Sequence, residues 1–270
     1  MAFLADANFL FGLLLKMAMT ASIVVAASFI VERSGPFIGA MIASLPTAGG
    51  AAYIILAMEH PPEFIAASAV ASMAANIVVS IFALAYAILA QRNNLAVSLG
   101  GALLVWFACA AATRLLVWTP LTACIATAIT FTFTILASRR FRTEGTGQKI
   151  AATRREIAWR TLIVSVFVAG VTTLSHAIGS FASGLFAFFP IAMSSFFVIL
   201  HTRLGGPAAA SVAAHVQAPL IGLGLGLLSV HFLAETVGVW WSLLAGLLVC
   251  IAWNMLLWLL RNARRRAAAR

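Results

Sequence analysis

Charge is what this sequence has least of. Only 9% of its 270 residues are Asp, Glu, Lys or Arg, and the acids number seven. Soluble domains carry about 25% charged residues, so a chain this poor in charge must lie almost wholly in lipid. A soluble fold would need one helix after another apolar on every face, with no side left for water. No Asp or Glu lies deep in any apolar run, which weighs against a carboxylate-driven proton or sodium antiporter. Cysteine is scarce too. Cys109, Cys124 and Cys250 sit in separate apolar runs without CxxC or Cys/His spacing, so the spacing indicates neither a disulfide framework nor a metal site. Paired carboxylates, GxSxG, HExxH and Walker loops are all missing. The chain therefore reads as no enzyme, and no cofactor is expected. The run Gly222, Gly224, Gly226 is a glycine-spaced helix face, because no strand precedes it. The first 30 residues lack a basic start and a small-residue cleavage site, so the first apolar run is expected to stay as a membrane helix.

What is present is apolar length. Hydrophobic residues make up 63% of the chain, in runs of roughly 20, the span of one transmembrane helix. The pattern predicts an all-α, polytopic bundle with helices at 9–31, 36–58, 63–90, 95–113, 116–138, 156–176, 180–202, 207–232 and 237–260. Ser34-Gly35-Pro36, Pro61-Pro62, Arg92-Asn93-Asn94, Thr119-Pro120 and Gly205-Gly206-Pro207 punctuate them. The weakest boundary is at Arg114; without it the count falls to eight. The net charge of +10 is concentrated, with seven of 17 Lys and Arg in 139–160 and five in 261–270. That clustering marks one side of a membrane rather than a nucleic-acid surface, and anionic headgroups suit it. Both basic segments are expected in the cytoplasm, with the N-terminus on the outer face.

The chain also resembles itself. Phe37–Met58 carries Pro46, and Phe181–Thr202 carries Pro190, 144 residues later. Gly35/Gly179, Ala43/Ala187, Ile55/Ile199 and Ala69/Ala213 keep the same offset, and so do Lys16 and Arg160. We read a duplicated membrane unit: repeat 1 over 1–115, a linker helix and basic loop over 116–155, repeat 2 over 156–262, and a basic tail over 263–270. An offset of five helices turns the second unit over relative to the first, an inverted repeat as in many secondary transporters.

Candidate chemistry centres on the prolines. Pro46 and Pro190 kink their helices, and small or hydroxylated neighbours surround them: Thr47, Gly49 and Gly50 in one copy, Ser194 and Ser195 in the other. Pro46, Gly49, Gly50 and Pro190 are candidate hinges; close helix packing explains them equally well. Lys16 and Arg160 are charges in apolar helices, either flanking an entrance for an anionic group or snorkelling to headgroups. His215, Gln217 and Asn76 are interior polar residues that would line a substrate site or satisfy neighbouring helices. His60, His176, Glu59, Glu63 and Glu235 stand near helix ends and read as interfacial.

The lysine early in the first helix, the run to Leu45-Pro46-Thr47 and the apolar stretch ending near a His resemble the GlpM-like small bacterial inner-membrane proteins. That resemblance implies a unit that pairs in the membrane, here fused to a diverged copy with Arg for Lys and no Pro-Thr; pairing into a homodimer is left open. The nine-helix inverted plan is similar to the drug/metabolite transporter group, whose small multidrug exporters use a first-helix Glu that this chain lacks. The expected function is alternating-access transport of a small molecule, with an anion suited by basic residues without acids. The competing expectation is an accessory protein for envelope polysaccharide or lipid assembly. A polar cavity between the proline helices favours the first, and tight packing there the second.

Overall fold

The computed structural model describes residues 7–32, 47–142 and 153–268, and among these every regular element is helical. The elements are α1 (Ala7–Glu32), α2 (Thr47–Glu59), α3 (Pro62–Leu89), α4 (Leu95–Ala112), α5 (Pro120–Ser138), α6 (Arg154–Ala187), α7 (Ile191–Leu204), α8 (Gly206–Leu233) and α9 (Val239–Ala268). Among the described residues six stretches are long and apolar enough to cross a membrane: Pro62–Leu89, Leu95–Leu115, Pro120–Phe141, Arg154–Leu204, Gly206–Leu233 and Val239–Arg264. The chain is thus a multi-pass membrane protein by composition and helix length.

Local chemistry sets the helix ends. Prolines open α3 and α5 at their first positions, where the missing N–H is harmless. Asn94 caps α4, and Thr119 with Thr122 forms a reciprocal capping box on α5. The stretch around Arg114 is therefore a true break. A short 3₁₀ turn at Thr113–Leu115 and the bond from Trp118 Nε1 to the Thr113 carbonyl (2.8 Å) separate α4 from α5. At the far end α9 runs on to Ala268, past the helix end expected at 260, so Arg261, Arg264 and Arg266 stand on helix.

The core is the antiparallel pair α3 and α8. His231 bonds the Ala66 carbonyl, Asn76 the Leu220 carbonyl, and Gln217 the Ser80 carbonyl, while Gly206 lies against Ala90. Residue numbers rise on one helix as they fall on the other. Both contact faces are made of small residues, with Ala69, Ala71, Ala74, Ala75, Ala209, Ala210, Ala213 and Ala214 all buried. Small side chains let backbones approach where lipid supplies no hydrophobic drive between helices. Around this pair α4, α5 and α9 turn apolar faces outward, including Leu104, Ile129, Phe133 and Trp241.

The pair also fixes which groups share an end of the bundle. Glu59, His60, Glu63 and Glu235 flank the start of α3 and the end of α8. Arg92, Arg142 and Arg203 flank the opposite ends, with Arg142 Nε donating to the Ala214 carbonyl (3.3 Å). The arginines are thus concentrated at one end, although each end also holds an ion pair, Lys16–Glu59 at the first and Glu156–Arg203 at the second.

A turn at Gly179 (φ 76°, ψ 174°) divides α6 into legs 154–178 and 180–187. The positive φ is a conformation glycine adopts without a Cβ penalty. The second leg runs inward along α3, held by Ser68 Oγ to the Ser180 carbonyl (3.1 Å) and Ser72 Oγ to the Gly184 carbonyl (2.7 Å). Helix then stops at Phe188-Phe189-Pro190 and resumes as α7. Where the sequence predicts a kinked 180–202 helix, the structure has a discontinuous one. Pro190 has ψ 40°, and without an N–H it cannot continue the preceding ladder. Pro46, the matching residue, lies outside the described residues.

Gly184 permits the close approach of this leg, because a Cβ there would fall onto the Ser68 carbonyl. Gly184→Ala should therefore lower thermal stability by about 1–3 kcal/mol, the range for overpacking. Gly170→Ala, which meets nothing within 4 Å, should leave the melting temperature in detergent unchanged or slightly raised.

Candidate functional site

The discontinuous helix and its partner leg form a hairpin. Arg203 pairs with Glu156 (2.6 Å), Arg160 lies over the Phe196 ring (6.0 Å), and Phe167 meets Phe189 (5.0 Å). Arg160 is 8% exposed. Among the described residues it has no ion-pair partner, and its Nε has no hydrogen bond. Four buried hydroxyls along the same hairpin, those of Thr161, Ser165, Ser183 and Ser194, also lack partners. Ser195 instead donates to the Ala192 carbonyl (2.7 Å), the usual local bond of a helical serine.

Lys16, placed by sequence at the matching position, meets a different fate: its Nζ is 2.7 Å from Glu59 Oε1. One expected cation is neutralised and the other is not. The sequence separates Glu59, His60 and His176, yet the fold brings them together. The His60 and His176 rings lie 4.2 Å apart, and His60 stacks on Phe64 at 3.7 Å. Burial first, then His176, lowers the His60 pKa; Glu59 acts against this and Lys16 adds to it. Only proximity in space reveals this cluster, since no sequence spacing relates residues 60 and 176.

The interior polar residues are used for packing. Ser80 Oγ meets Thr134 Oγ1 (2.7 Å) and donates to Gln217 Oε1 (2.6 Å), and Gln217 Nε2 returns a bond to the Ser80 carbonyl (3.0 Å). Asn76 Nδ2 donates to the Leu220 carbonyl (2.9 Å), with its Oδ1 buried and unpartnered. His215 Nδ1 is 2.7 Å from the Ser211 carbonyl on its own helix. Asn76, Ser80, Thr134 and Gln217 tie α3, α5 and α8 together.

A cavity of about 420 Å³ does lie beside the helix break, between α2, α8 and α9. Gly49, Gly50, Tyr53, Phe188, Gly226 and Cys250 are among its walls, which are almost entirely apolar. Gly49 admits the Phe188 ring, which a Cβ would meet at 2.5 Å. Thr47 opens α2, and its side chain lies outside the described residues. Comparison of the chain with protein-family models, with curated proteins and with solved structures finds no match.

The Ser80–Gln217 exchange predicts measurable coupling. Combining Ser80→Ala with Gln217→Leu should show a double-mutant coupling near 0.6 kcal/mol and at most roughly 1.7, as for interhelical bonds in membranes. Chemical unfolding in mixed micelles would measure it; strict additivity would remove these groups from the core network.

Proposed function

We propose that this protein is a secondary transporter of the bacterial inner membrane, moving a small organic anion by alternating access between two inverted repeats. The observation that carries this reading is the buried Arg160 guanidinium on the α6–α7 hairpin, which has no ion-pair partner among the described residues. A buried guanidinium without a partner is costly in lipid. An anionic solute would supply the missing charge and an acceptor for its Nε. Arg160 lies on the same hairpin as a mid-helix break, the arrangement transporters use to present backbone groups to a substrate.

Helix boundaries support the duplication. Thr47/Ile191, Pro62/Gly206, Leu89/Leu233 and Leu95/Val239 are each 144 residues apart. The bond from Asn76 to Leu220 joins two residues at that same separation. Equivalent positions that meet across antiparallel helices are what a pseudo-two-fold axis in the membrane plane produces. On this reading α5 is the unpaired linker, and the arginine-rich end of the bundle faces the cytoplasm.

The two repeats then differ in one informative way. Glu59, the partner of Lys16, corresponds to Arg203, which pairs with Glu156 instead. Substituting the acid in the second copy is what leaves Arg160 unpaired.

The accessory-protein reading keeps one observation in its favour: the cavity at the break is apolar and the polar core is closed. Ligand-induced thermal stabilisation in detergent separates the two. A library of organic anions should yield a hit, since a native-state ligand at a hundred times its dissociation constant adds about 2.7 kcal/mol. Arg160→Gln should abolish the shift, while Lys16→Gln, which removes a charge already paired, should retain it. Hits confined to lipids and hydrocarbons, insensitive to Arg160, would favour the accessory protein.

A further inference from the structure

We infer that Glu59, His60 and His176 form a binding site for a divalent transition-metal ion of the zinc class. One ligand atom from each residue lies within 4.8 Å of the other two. Zinc–nitrogen bonds of about 2.0–2.1 Å in a tetrahedral site place donors roughly 3.4 Å apart. Closing that gap takes small rotations of side chains, and His176 is exposed and free to make them.

Hydrogen bonding selects the donor atoms. Ser175 Oγ gives its single proton to the Thr172 carbonyl (2.6 Å). It can only accept from His60, so the 2.6 Å contact to His60 Nε2 is an N–H donation. In the neutral ring Nδ1 then carries the free lone pair a metal requires, and stacking on Phe64 holds the plane of the imidazole. This is the outer-sphere support that fixes tautomer and orientation in metal-binding histidines. Glu59 is equally divided: Oε1 faces Lys16, and Oε2 is buried without a partner.

Two imidazoles and a carboxylate oxygen suit a borderline ion such as Zn²⁺ better than Mg²⁺ or Ca²⁺. Three protein ligands leave a fourth position for water or a solute group. The site joins the α2–α3 turn to the end of the first leg of α6, three residues before Gly179. Metal at this point ties the turn of the hairpin to the core helix α3. The site is independent of the anion site proposed at Arg160 and stands whether or not the chain transports.

The test is calorimetric titration of Zn²⁺ into untagged, chelator-stripped protein in detergent. One ion per chain should bind saturably and raise the melting temperature. His176→Ala, at an exposed position, should abolish that binding, Glu59→Gln should weaken it strongly, and Ser175→Ala should weaken it about tenfold as an outer-sphere change. His201→Ala, at the opposite end of the bundle, should leave it unchanged. Co²⁺ in place of Zn²⁺ should give the visible bands of a tetrahedral centre, lost in His176→Ala. Absence of saturable uptake by the wild type, or equal uptake by His176→Ala, would overturn the assignment.

Discussion

Lipid offers no hydrogen bonds, so a buried polar group in the membrane is costly unless it finds its partner inside the protein. That constraint explains why α3 and α8 lie at the centre. They carry the alanines that permit close approach and the polar residues that bridge it, including Asn76, Ser80 and Gln217. Neither alone would be enough. Apolar surface gains little by leaving hydrocarbon for protein, and tight van der Waals contact plus interhelical bonds must hold the pair. The outer helices add single bonds to this centre, Thr134 of α5 to Ser80 and Trp253 of α9 to the Ala218 carbonyl, and otherwise turn apolar side chains outward.

The same constraint limits where helix can stop. The second leg of α6 ends at Phe188 in mid-bundle, and its exposed backbone ends survive because protein encloses them. Ser68 and Ser72 satisfy two of its carbonyls directly. Phe188 and Phe189 wall off the break, the first against Tyr53 (6.0 Å) and the second against Trp106 (4.8 Å). Two small hydroxyl side chains on α3 therefore set the position of the leg. Any movement of 180–187 about Gly179 and Pro190 must first break those two bonds.

Much of this was legible in the sequence, and the reason is periodicity. Proline and glycine punctuation located the turns at Pro61-Pro62, Thr119-Pro120 and Gly205-Gly206 within a few residues, because those residues act locally. The break at Pro190 was legible as a site of distortion, though not as a full interruption; proline removes one hydrogen bond whatever surrounds it, and the surroundings decide whether helix resumes at once. Partner choice was not legible. Nothing local says that Lys16 finds Glu59 while Arg160 lies against the Phe196 ring with no ion-pair partner among the described residues. His60, His176 and Glu59 looked interfacial singly, and only the fold makes them neighbours.

A single stretch, Thr153 to Gly205, carries most of what is chemically unusual in the protein. It begins and ends at the Glu156–Arg203 pair, holds the buried Arg160 one turn inside it, turns at Gly179 beside the histidines, and breaks at Pro190. α6 packs on α1, α2 and α3, with its leg 180–187 bonded to α3 through Ser68 and Ser72. The hairpin is therefore tied at both ends, by an ion pair at one and by Ser175, His60 and Ser68 at the other, and is interrupted in between. A rod fixed at its ends and cut in the middle can change shape only at the cut. In this bundle the cut lies beside the apolar cavity walled by Phe188, so rearrangement of the hairpin must alter the space next to it. Separating α3 from α8, by contrast, would expose Asn76, Ser80 and Gln217 to lipid. The break carries none of that network, so the hairpin can change shape there, beside the cavity, while the central pair stays intact.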